Sequence, residues 1–357
     1  MNAHSGRSAV VTERSVAIVD PTTDPRWADL VRRANGGLFH VPSWLGAVAR
    51  GFDLVPSALV LLEGDVAVAG IPFVAIDDAV GRRVVAGAFS DYCDPVGAAV
   101  HAPRLISELA ALHPDAIVQI KLLETPHPGP DSGYQVVKTA RWHGVRIDAP
   151  VEQVLARVKA NCRYSARHAL QLGMTVRRMK REEIPLFFRL HTEVRARRYR
   201  LLTQPIELFE EVYGAFVDEG RGVLLGAFAG DRIAAAHWYL TQGDTVVYKY
   251  GASDYELKRY RANVLLNLHA LEEAAQEGAK LFDLGLSDDD QPGLIDYKRH
   301  LGAYEGEIRF LRHTPAGVVL DGALRATLTR MTEMATDPAM PTELAARLGR
   351  SLYRYFA

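Results

Sequence analysis

Two stretches of the chain repeat one order of strands and turns: residues 57–92, SALVLLEGDVAVAGIPFVAIDDAVGRRVVAGAFSDY, and residues 222–255, GVLLGAFAGDRIAAAHWYLTQGDTVVYKYGASDY. Each begins with an apolar strand, turns at Gly-Asp, and continues through a second strand and turn to a third strand that ends in Ser-Asp-Tyr. The turns begin at Gly64 and Gly230, which are 166 residues apart, and the triplets begin at Ser90 and Ser253, which are 163 apart. The near-constant offset indicates an internal duplication.

A helix and a further strand follow each three-stranded unit. The apolar spacing predicts helices over residues 103–112 and 262–277, and strands over residues 116–123 and 280–286. The ordered series favours two copies of one α/β unit. Two ordinary β-meanders that share common turn residues are the alternative.

The two copies are expected to meet near residue 150. A turn-rich loop over residues 127–135 precedes this point, and one helix is predicted from Val151 to a C-cap at Gly173. Residues 174–179 read as a strand, and two further helices lead into the second copy. The tail reads as two amphipathic helices broken around residues 337–341. The predicted parts are a first domain over residues 1–148, a second over 149–316, and a C-terminal helical extension over 317–357.

Composition excludes several classes of protein. Lys and Arg number 42 against 43 acidic residues, which argues against a uniformly basic nucleic-acid binder and against a long disordered tail. Two cysteines make no disulfide framework, and CxxC and HExxH are absent, so we expect no metal site. The N-terminus shows no signal-peptide pattern, and no early apolar run reaches the roughly 20 residues of a membrane span. We therefore expect a cytoplasmic protein.

Charge is concentrated in one block. Residues 157–200 hold 13 Lys or Arg and 3 Glu, whereas the whole chain has a net charge of −1. Such a block attracts polyanions such as an RNA backbone. The alternative is a set of solvated helix faces whose charge is neutralised by acids elsewhere in the fold.

Candidate chemistry lies in residues 280–309, KLFDLGLSDDDQPGLIDYKRHLGAYEGEIR. A buried strand ends here in an acidic loop, and Lys298 follows beside Tyr297, whose ring can hold the lysine stem. Loops at the ends of central strands commonly carry sites. The alternative is a surface lysine paired with one of the aspartates 288–290. GxSxG, Walker A and kinase motifs are absent, and Cys162, although near several cations, is more typical of a packed thiol.

The same segment resembles a known family. Phe282 to Gly285, Gly293-Leu294, Tyr297-Lys298 and Leu301-Gly302 resemble the second domain of the Fem-type (FemAB/FemX-like) aminoacyltransferases and of the related GNAT-like proteins called BioF2-like acyltransferases. The family commonly has Phe-Lys where this chain has Tyr-Lys. Three other stretches resemble the family as well: FHVPSW at 39–44, FSDYCDP at 89–95, and the Arg-rich helix end at 195–199.

The resemblance implies an α/β (α+β) fold of two tandem GNAT-like domains with mixed central sheets, followed by the helical tail. It implies an aminoacyltransferase that takes an amino acid from aminoacyl-tRNA and forms an amide on an amine, either of a peptidoglycan precursor or of a small metabolite. Lys298 would stabilise the reacting carbonyl and Tyr297 would position it, with no tightly bound cofactor. Candidate general bases are Asp283, Asp296 and His237, unless the substrate itself assists.

The remaining predicted site residues fall into two groups. Substrate-binding candidates around the inter-domain cleft are Arg198, Tyr199, Tyr250, Asp91, Tyr92 and Trp44. Candidates that bind the tRNA acceptor end are Arg177, Arg178, Arg181 and Arg261.

Two alternatives to this function remain open. The same fold serves acyl-CoA transfer, in which a Gly-rich loop before a helix holds the pyrophosphate. The corresponding residues 257–263, LKRYRAN, contain no glycine, which favours tRNA over CoA. The second alternative is a non-catalytic module that binds a phosphorylated ligand through degenerate GNAT domains.

Overall fold

The computed structural model describes residues 14–318, 322–337 and 339–356. Within these ranges the chain forms one mixed sheet, whose 13 strands are Arg14–Val19 (β1), Pro56–Glu63 (β2), Val66–Asp78 (β3), Gly81–Ala86 (β4), Val96–Gly97 (β5), Ile117–Leu122 (β6), Tyr134–Arg146 (β7), Met174–Arg178 (β8), Gly222–Ala229 (β9), Arg232–Gln242 (β10), Thr245–Ser253 (β11), Leu281–Ser287 (β12) and Tyr304–His313 (β13).

Eleven α-helices lie in the same described ranges. They are Pro25–Arg33 (α1), Pro42–Phe52 (α2), Ala102–Ala111 (α3), Val151–Arg157 (α4), Ala160–Gln171 (α5), Ile184–Val194 (α6), Ile206–Val212 (α7), Ala262–Gln276 (α8), Pro292–His300 (α9), Gly322–Ala335 (α10) and Thr342–Leu352 (α11).

The duplicated unit is visible in the hairpins. Gly64 and Gly230 both take positive φ, +60° and +59°, at the tight turns that join β2 to β3 and β9 to β10. Glycine adopts this conformation without the steric cost that a Cβ imposes. The two copies differ at the third strand, because β11 runs through Ser253 whereas β4 ends at Ala86 and Ser90 lies in the following loop.

The last strand of each half is exchanged with the other half. The sheet order is β1-β2-β3-β4-β6-β13-β7-β12-β11-β10-β9-β8, with β5 beside β3. Thus β13, from the second half, pairs with β6 of the first, and β7, from the first half, pairs with β12 of the second. The middle of the sheet is therefore built by both halves. The domain boundary at residue 149 falls between β7 and α4 and stays a prediction.

Two parallel strands of the second half separate beside this shared centre. β11 and β12 pair only from Thr245 and Leu281 to Val247 and Asp283, although both strands continue further. Beyond Asp283, β12 pairs only with β7. The gap between the diverging strands is called the second-half wedge below.

Helices fasten the two halves together on one side of the sheet. α2 of the first half packs against α7 of the second, and a Cβ added to Gly51 would lie 2.7 Å from the Cα of Leu208. The core beneath them contains Trp44, Phe209 and Trp238, all fully buried. The large shared core holds the two halves in contact.

One predicted helix is divided. The expected helix over residues 151–173 breaks between α4 and α5, because Val158 is extended (ψ 135°) and the Lys159 N–H donates to the His300 carbonyl at 2.9 Å. That carbonyl ends α9, so a tertiary contact overrides the local pattern. Gly173 follows the end of α5 with φ +84°, as predicted. The tail contains two helices, α10 and α11, as expected.

Candidate active site

Lys298 is buried at the junction of the two halves. α9 turns its inner face toward β12, and the Lys298 Nζ donates to the carbonyls of Gly285 at 3.1 Å and Leu286 at 2.8 Å. The residue is only 3% exposed, and burial lowers its pKa to about 8. Asp288 pairs instead with Lys138, and Asp289 pairs with Arg141. The surface-lysine alternative is therefore wrong for Lys298.

A carboxylate from the first half faces this lysine. Asp91 lies in the loop after β4 and reaches Gly285, where an added Cβ would be 2.5 Å from Asp91 Oδ2 and 3.8 Å from the Tyr248 carbonyl. Gly285 has φ +68°, so both its backbone conformation and the close approach of Asp91 favour glycine. The Asp91 carboxylate thus lies inside the second-half wedge.

Lysines surround Asp91. Its Oδ1 accepts from Lys249 Nζ at 2.5 Å. Burial raises the pKa of Asp91, but the ammonium groups of Lys249, Lys298 and Lys121 outweigh burial and hold that pKa below its usual range. Lys121, on β6, donates to the Ser90 carbonyl at 2.9 Å, and burial lowers its pKa to about 8. Lys121, Lys249 and Lys298 are called the lysine cluster below.

Sequence reasoning did not find Lys121 and Lys249. They lie on different strands, more than 100 residues apart in sequence, so no local spacing connects them. The only signal was a lysine inside each apolar strand, IVQIKL and TVVYKYGAS.

Asp283 links the two halves beneath the cluster. It is fully buried and accepts from Trp142 Nε1 at 2.8 Å, the Gly285 N–H at 2.7 Å and the Tyr92 hydroxyl at 2.9 Å. Burial raises its pKa to about 6. Because three donors occupy its oxygens, Asp283 serves as an anchor for the loop that carries Asp91, and Tyr92 is committed to the same bond.

Trp44 and Tyr250, predicted to bind substrate, lie in the packing around Lys249. The Lys249 Nζ is 5.2 Å from the Trp44 ring centroid, 5.4 Å from that of Tyr250 and 4.9 Å from that of Phe39. Trp44 is fully buried and donates to Ser90 Oγ at 3.0 Å. These rings hold the Lys249 ammonium beside Asp91 through cation–π contacts.

Tyr297 bonds to α8 instead of to the Lys298 ammonium. Its hydroxyl donates to the Asn263 carbonyl at 3.2 Å and accepts from Asn267 Nδ2 at 2.8 Å. Tyr297 therefore fixes the helix on which Lys298 lies. His237 joins the same network through Asn263 and Tyr239, is fully buried, and has a pKa lowered to about 4 by burial.

Other candidate groups have different surroundings. Asp296 is exposed and pairs with Arg299 at 3.3 Å. Cys162 is buried, and burial raises its pKa, so the neighbouring cations do not make it a reactive thiolate. Among the described residues, no group of three His, Cys, Asp or Glu side chains is placed to hold a metal.

The predicted tRNA-binding arginines are mostly paired. Arg177 contacts Glu183 at 2.7 Å, Arg178 contacts Glu273 at 3.3 Å, and Arg181 pairs with Asp218. Glu273 and Asp218 lie outside residues 157–200 and offset part of the excess positive charge of that block, whereas Glu183 lies within it. Arg198 lies over the Tyr199 ring at 5.3 Å in the π-helical turn after α6, and both are close enough to Tyr248 to influence its pKa, which burial raises.

A different surface combines exposed aromatic rings with cations where α5 contacts residues 258–260, just before α8. Tyr255 and Tyr164 are 72% and 61% exposed, and the Tyr164 ring stacks on His168 at 5.7 Å. Arg261 is the N-cap of α8 and forms no ion pair within the described chain. Cation–π contacts join Lys258 to Tyr255 and Arg259 to Tyr260. The α8 entry surface is defined as Tyr164, His168, Tyr255, Lys258, Arg259, Tyr260 and Arg261.

Comparisons with known proteins support the fold on which these residues lie. Residues 156–299 match the acetyltransferase (GNAT) domain family. The matched residues lie in the second half of the chain. No curated protein matches the sequence. In the parts of the chain that the structure describes, no helix is long and apolar enough to cross a membrane.

Solved structures resemble the chain across both halves. FemX superposes with a TM-score of 0.65 at 14% identity, over 88% of this chain and 100% of FemX. A tandem GNAT protein from the clavulanic acid biosynthesis pathway gives 0.54 at 16% identity, over 85% and 100% of the two chains. The C-terminal domain of a putative lysylphosphatidylglycerol synthetase from Agrobacterium fabrum gives 0.54 at 15%, over 84% and 95%. The predicted tandem GNAT fold is confirmed, and the resemblance to Fem-type proteins is confirmed at the level of fold.

Proposed function

We propose that this chain transfers an aminoacyl group from aminoacyl-tRNA to an amine acceptor and so forms an amide or peptide bond. The GNAT domain supports an acyltransferase in general. The observation that carries the transfer step is the buried Lys298 ammonium, which lies where both halves meet and faces the Asp91 carboxylate. We expect the acceptor, a peptidoglycan precursor or a small metabolite, to approach Lys298 where the two halves meet.

The reaction needs little from the protein beyond positioning and charge. The neutral amine attacks the ester carbonyl carbon, and the bond from that carbon to the ribose oxygen of the tRNA breaks. Lys298 uses two of its three N–H donors on backbone carbonyls, which leaves one for the developing oxyanion. One such donor is worth roughly 3–4 kcal/mol. The proton lost by the amine ends on the ribose hydroxyl, so the overall reaction is balanced without a covalent intermediate.

Two features favour tRNA over acyl-CoA as the donor. The α8 entry surface offers rings on which bases stack and cations that meet phosphates. Residues 258–261 are bulky and contain no glycine, which hinders the close backbone approach of a pyrophosphate.

A transfer assay tests the proposal. Purified protein is incubated with radiolabelled aminoacyl-tRNA and a panel of amines, and the amide product is isolated. We expect product that disappears when the tRNA is digested with RNase beforehand.

Acyl-CoA transfer is the second candidate, because the matched family is described as an acetyltransferase. Transfer that survives RNase and requires an acyl-CoA would replace the first candidate with this one. The absence of transfer from either donor would contradict both.

A further inference from the structure

The Lys121 ammonium has donors that the protein does not use. Its one hydrogen bond goes to the Ser90 carbonyl, whereas an ammonium carries three N–H donors. Within the described residues no acidic side chain forms an ion pair with it. Two donors are therefore free to bind a ligand.

The lysine cluster carries more positive than negative charge. Its three ammonium groups face Asp91. The nearby Asp283 accepts hydrogen bonds from Trp142, Tyr92 and Gly285. A buried charge without a partner is costly. This cost lowers the pKa values of Lys121 and Lys298. An additional anion nearby therefore stabilises the charged form of both lysines.

An apolar floor lies beside Lys121. Phe310 of β13 is paired with Lys121 on one side and Lys138 on the other, and its ring is 5.7 Å from the Lys121 Nζ. Trp142 and Leu286 belong to the same apolar cluster. The Leu286 carbonyl accepts a hydrogen bond from Lys298, so the cluster extends toward that lysine. The surface next to Lys121 thus suits a carbon chain that ends in an anion.

We propose that Lys121 binds the carboxylate of the acceptor, so that the acceptor is an amino-acid-like or peptide-like molecule with both an amine and a carboxylate. This inference rests on the proposed function, because it describes the acceptor of that reaction. Lys249 and Lys298 each use two of their three donors within the protein, so Lys121 is the member of the cluster with two open donors. Two open donors on one ammonium fit a monoanionic carboxylate, whereas a diphosphate usually requires several cations with open donors or a series of backbone N–H groups. The amine of such a molecule extends along the floor toward Lys298.

Matched acceptors test the assignment. Glycine is compared with glycinamide, glycylglycine with its amide, and Nα-acetyl-lysine with its amide, and kcat and KM are measured for each. We expect the wild-type KM to be at least tenfold lower for the carboxylate member of a pair that is used. Lys121→Met should raise that KM at least tenfold and leave the KM of the amide unchanged, and Lys121→Arg should restore much of the preference.

Lys138→Met is the control, since Lys138 flanks the same ring but is paired with Asp288 at 2.5 Å. It should alter neither KM, and circular dichroism should show all variants folded. Equal effects of Lys121→Met on both members of a pair would overturn the inference while leaving the proposed function intact, as would a preference for phosphoethanolamine over every carboxylate.

If no amine is acylated, a binding measurement tests the carboxylate site at Lys121. In that case the proposed function fails, and calorimetry with glycylglycine and its amide measures the preference directly. Tighter binding of glycylglycine that disappears in Lys121→Met supports the carboxylate site, and equal binding of the two contradicts it.

Discussion

At the scale of single residues, the site depends on ionisation states that burial has shifted. Lys298 stabilises an oxyanion only as an ammonium, and its pKa of about 8 leaves it mostly charged at neutral pH. Asp283 is ionised above its pKa of about 6 and then accepts from Trp142, Tyr92 and the Gly285 N–H. Both groups are in their working states only between these two values.

The first prediction concerns pH. We expect kcat to fall as the pH rises through about 8, because Lys298 loses its proton, and to fall below about 6, because Asp283 gains one. Asp283→Asn is neutral at every pH, as the protonated acid is, so it should lower kcat throughout and leave only the alkaline limb. A kcat that stays flat from about pH 5.5 to 9 would contradict these assignments.

The second prediction concerns Gly285. Gly285→Ala places a methyl group 2.5 Å from Asp91 Oδ2 at φ +68°, so it should both destabilise the fold and displace the carboxylate. Gly278→Ala is the matched control, since Gly278 has φ +83° but no atom within 4 Å of an added Cβ. Each substitution should cost about 1–2 kcal/mol of unfolding free energy in urea for the backbone conformation alone. Only Gly285→Ala should also lower kcat, and equal kcat values for the two variants would refute the role of the contact.

At the scale of elements, the C-terminal tail braces the loop that carries Asp91. The Tyr353 ring, just after α11, is 5.5 Å from those of Phe52 and Phe89, and these two stack at 3.8 Å. Phe89 has φ +59°, and its carbonyl accepts from Lys249 Nζ at 3.4 Å. Only Ser90 separates Phe89 from Asp91, so the tail fixes a strained loop whose position matters to the site.

The third prediction follows from this contact. Tyr353→Ala should lower kcat several-fold and reduce stability by about 1 kcal/mol, in line with the removal of an aromatic pair. Tyr353→Phe should retain kcat because the ring remains. The control is Leu344→Ala on the exposed side of α11, which should change neither quantity. If Tyr353→Ala lowers stability but leaves kcat unchanged, the tail stabilises the fold without positioning the loop that carries Asp91.

Element order was predictable from the sequence where the signals are local. The Gly-Asp turns, the helix over residues 262–277 and the two tail helices follow from turn residues and apolar spacing. The break between Val158 and Lys159 was not predictable, since the partner of the Lys159 N–H is the carbonyl of His300. Contacts of this kind exist only after the chain has folded.

At the scale of the whole molecule, strand exchange explains why the site draws on both halves. β7 and β13 cross over at the centre of the sheet, which brings the loop with Asp91 against β12. The repeat in the sequence indicates two copies but not the exchange of their last strands. Lys298 was found because a short motif surrounds it, whereas Lys121 and Lys249 reach the site through non-local pairing.

The fourth prediction compares two surfaces for tRNA. The charge count favours Arg177, Arg178 and Arg181, but the ion pairs of these arginines favour the α8 entry surface instead. A triple variant, Tyr164→Ala with Tyr255→Ala and Arg261→Glu, should raise the Kd for deacylated tRNA at least tenfold, as measured by fluorescence anisotropy. It should also flatten the salt dependence by about 0.7–0.9 in log–log slope for each phosphate that the variant no longer neutralises.

Reversing the charges of the three paired arginines is the comparison. It should have a smaller effect on tRNA affinity, because their charges are already offset by acids. If reversing these three charges weakens tRNA binding more than the triple variant does, the tRNA site lies at residues 177–181 instead. Binding of the protein to anionic lipid vesicles in place of tRNA would contradict both surfaces.

The role of Lys298 is tested most directly by the single-turnover rate of amide formation with saturating protein, in wild type and in Lys298→Met. Methionine keeps the length and packing of the side chain and removes the ammonium. Loss of one oxyanion donor predicts a rate roughly 100- to 1,000-fold lower, with unchanged circular dichroism and unchanged tRNA affinity. A folded Lys298→Met protein that acylates its acceptor within threefold of the wild-type rate would contradict the catalytic role of this lysine.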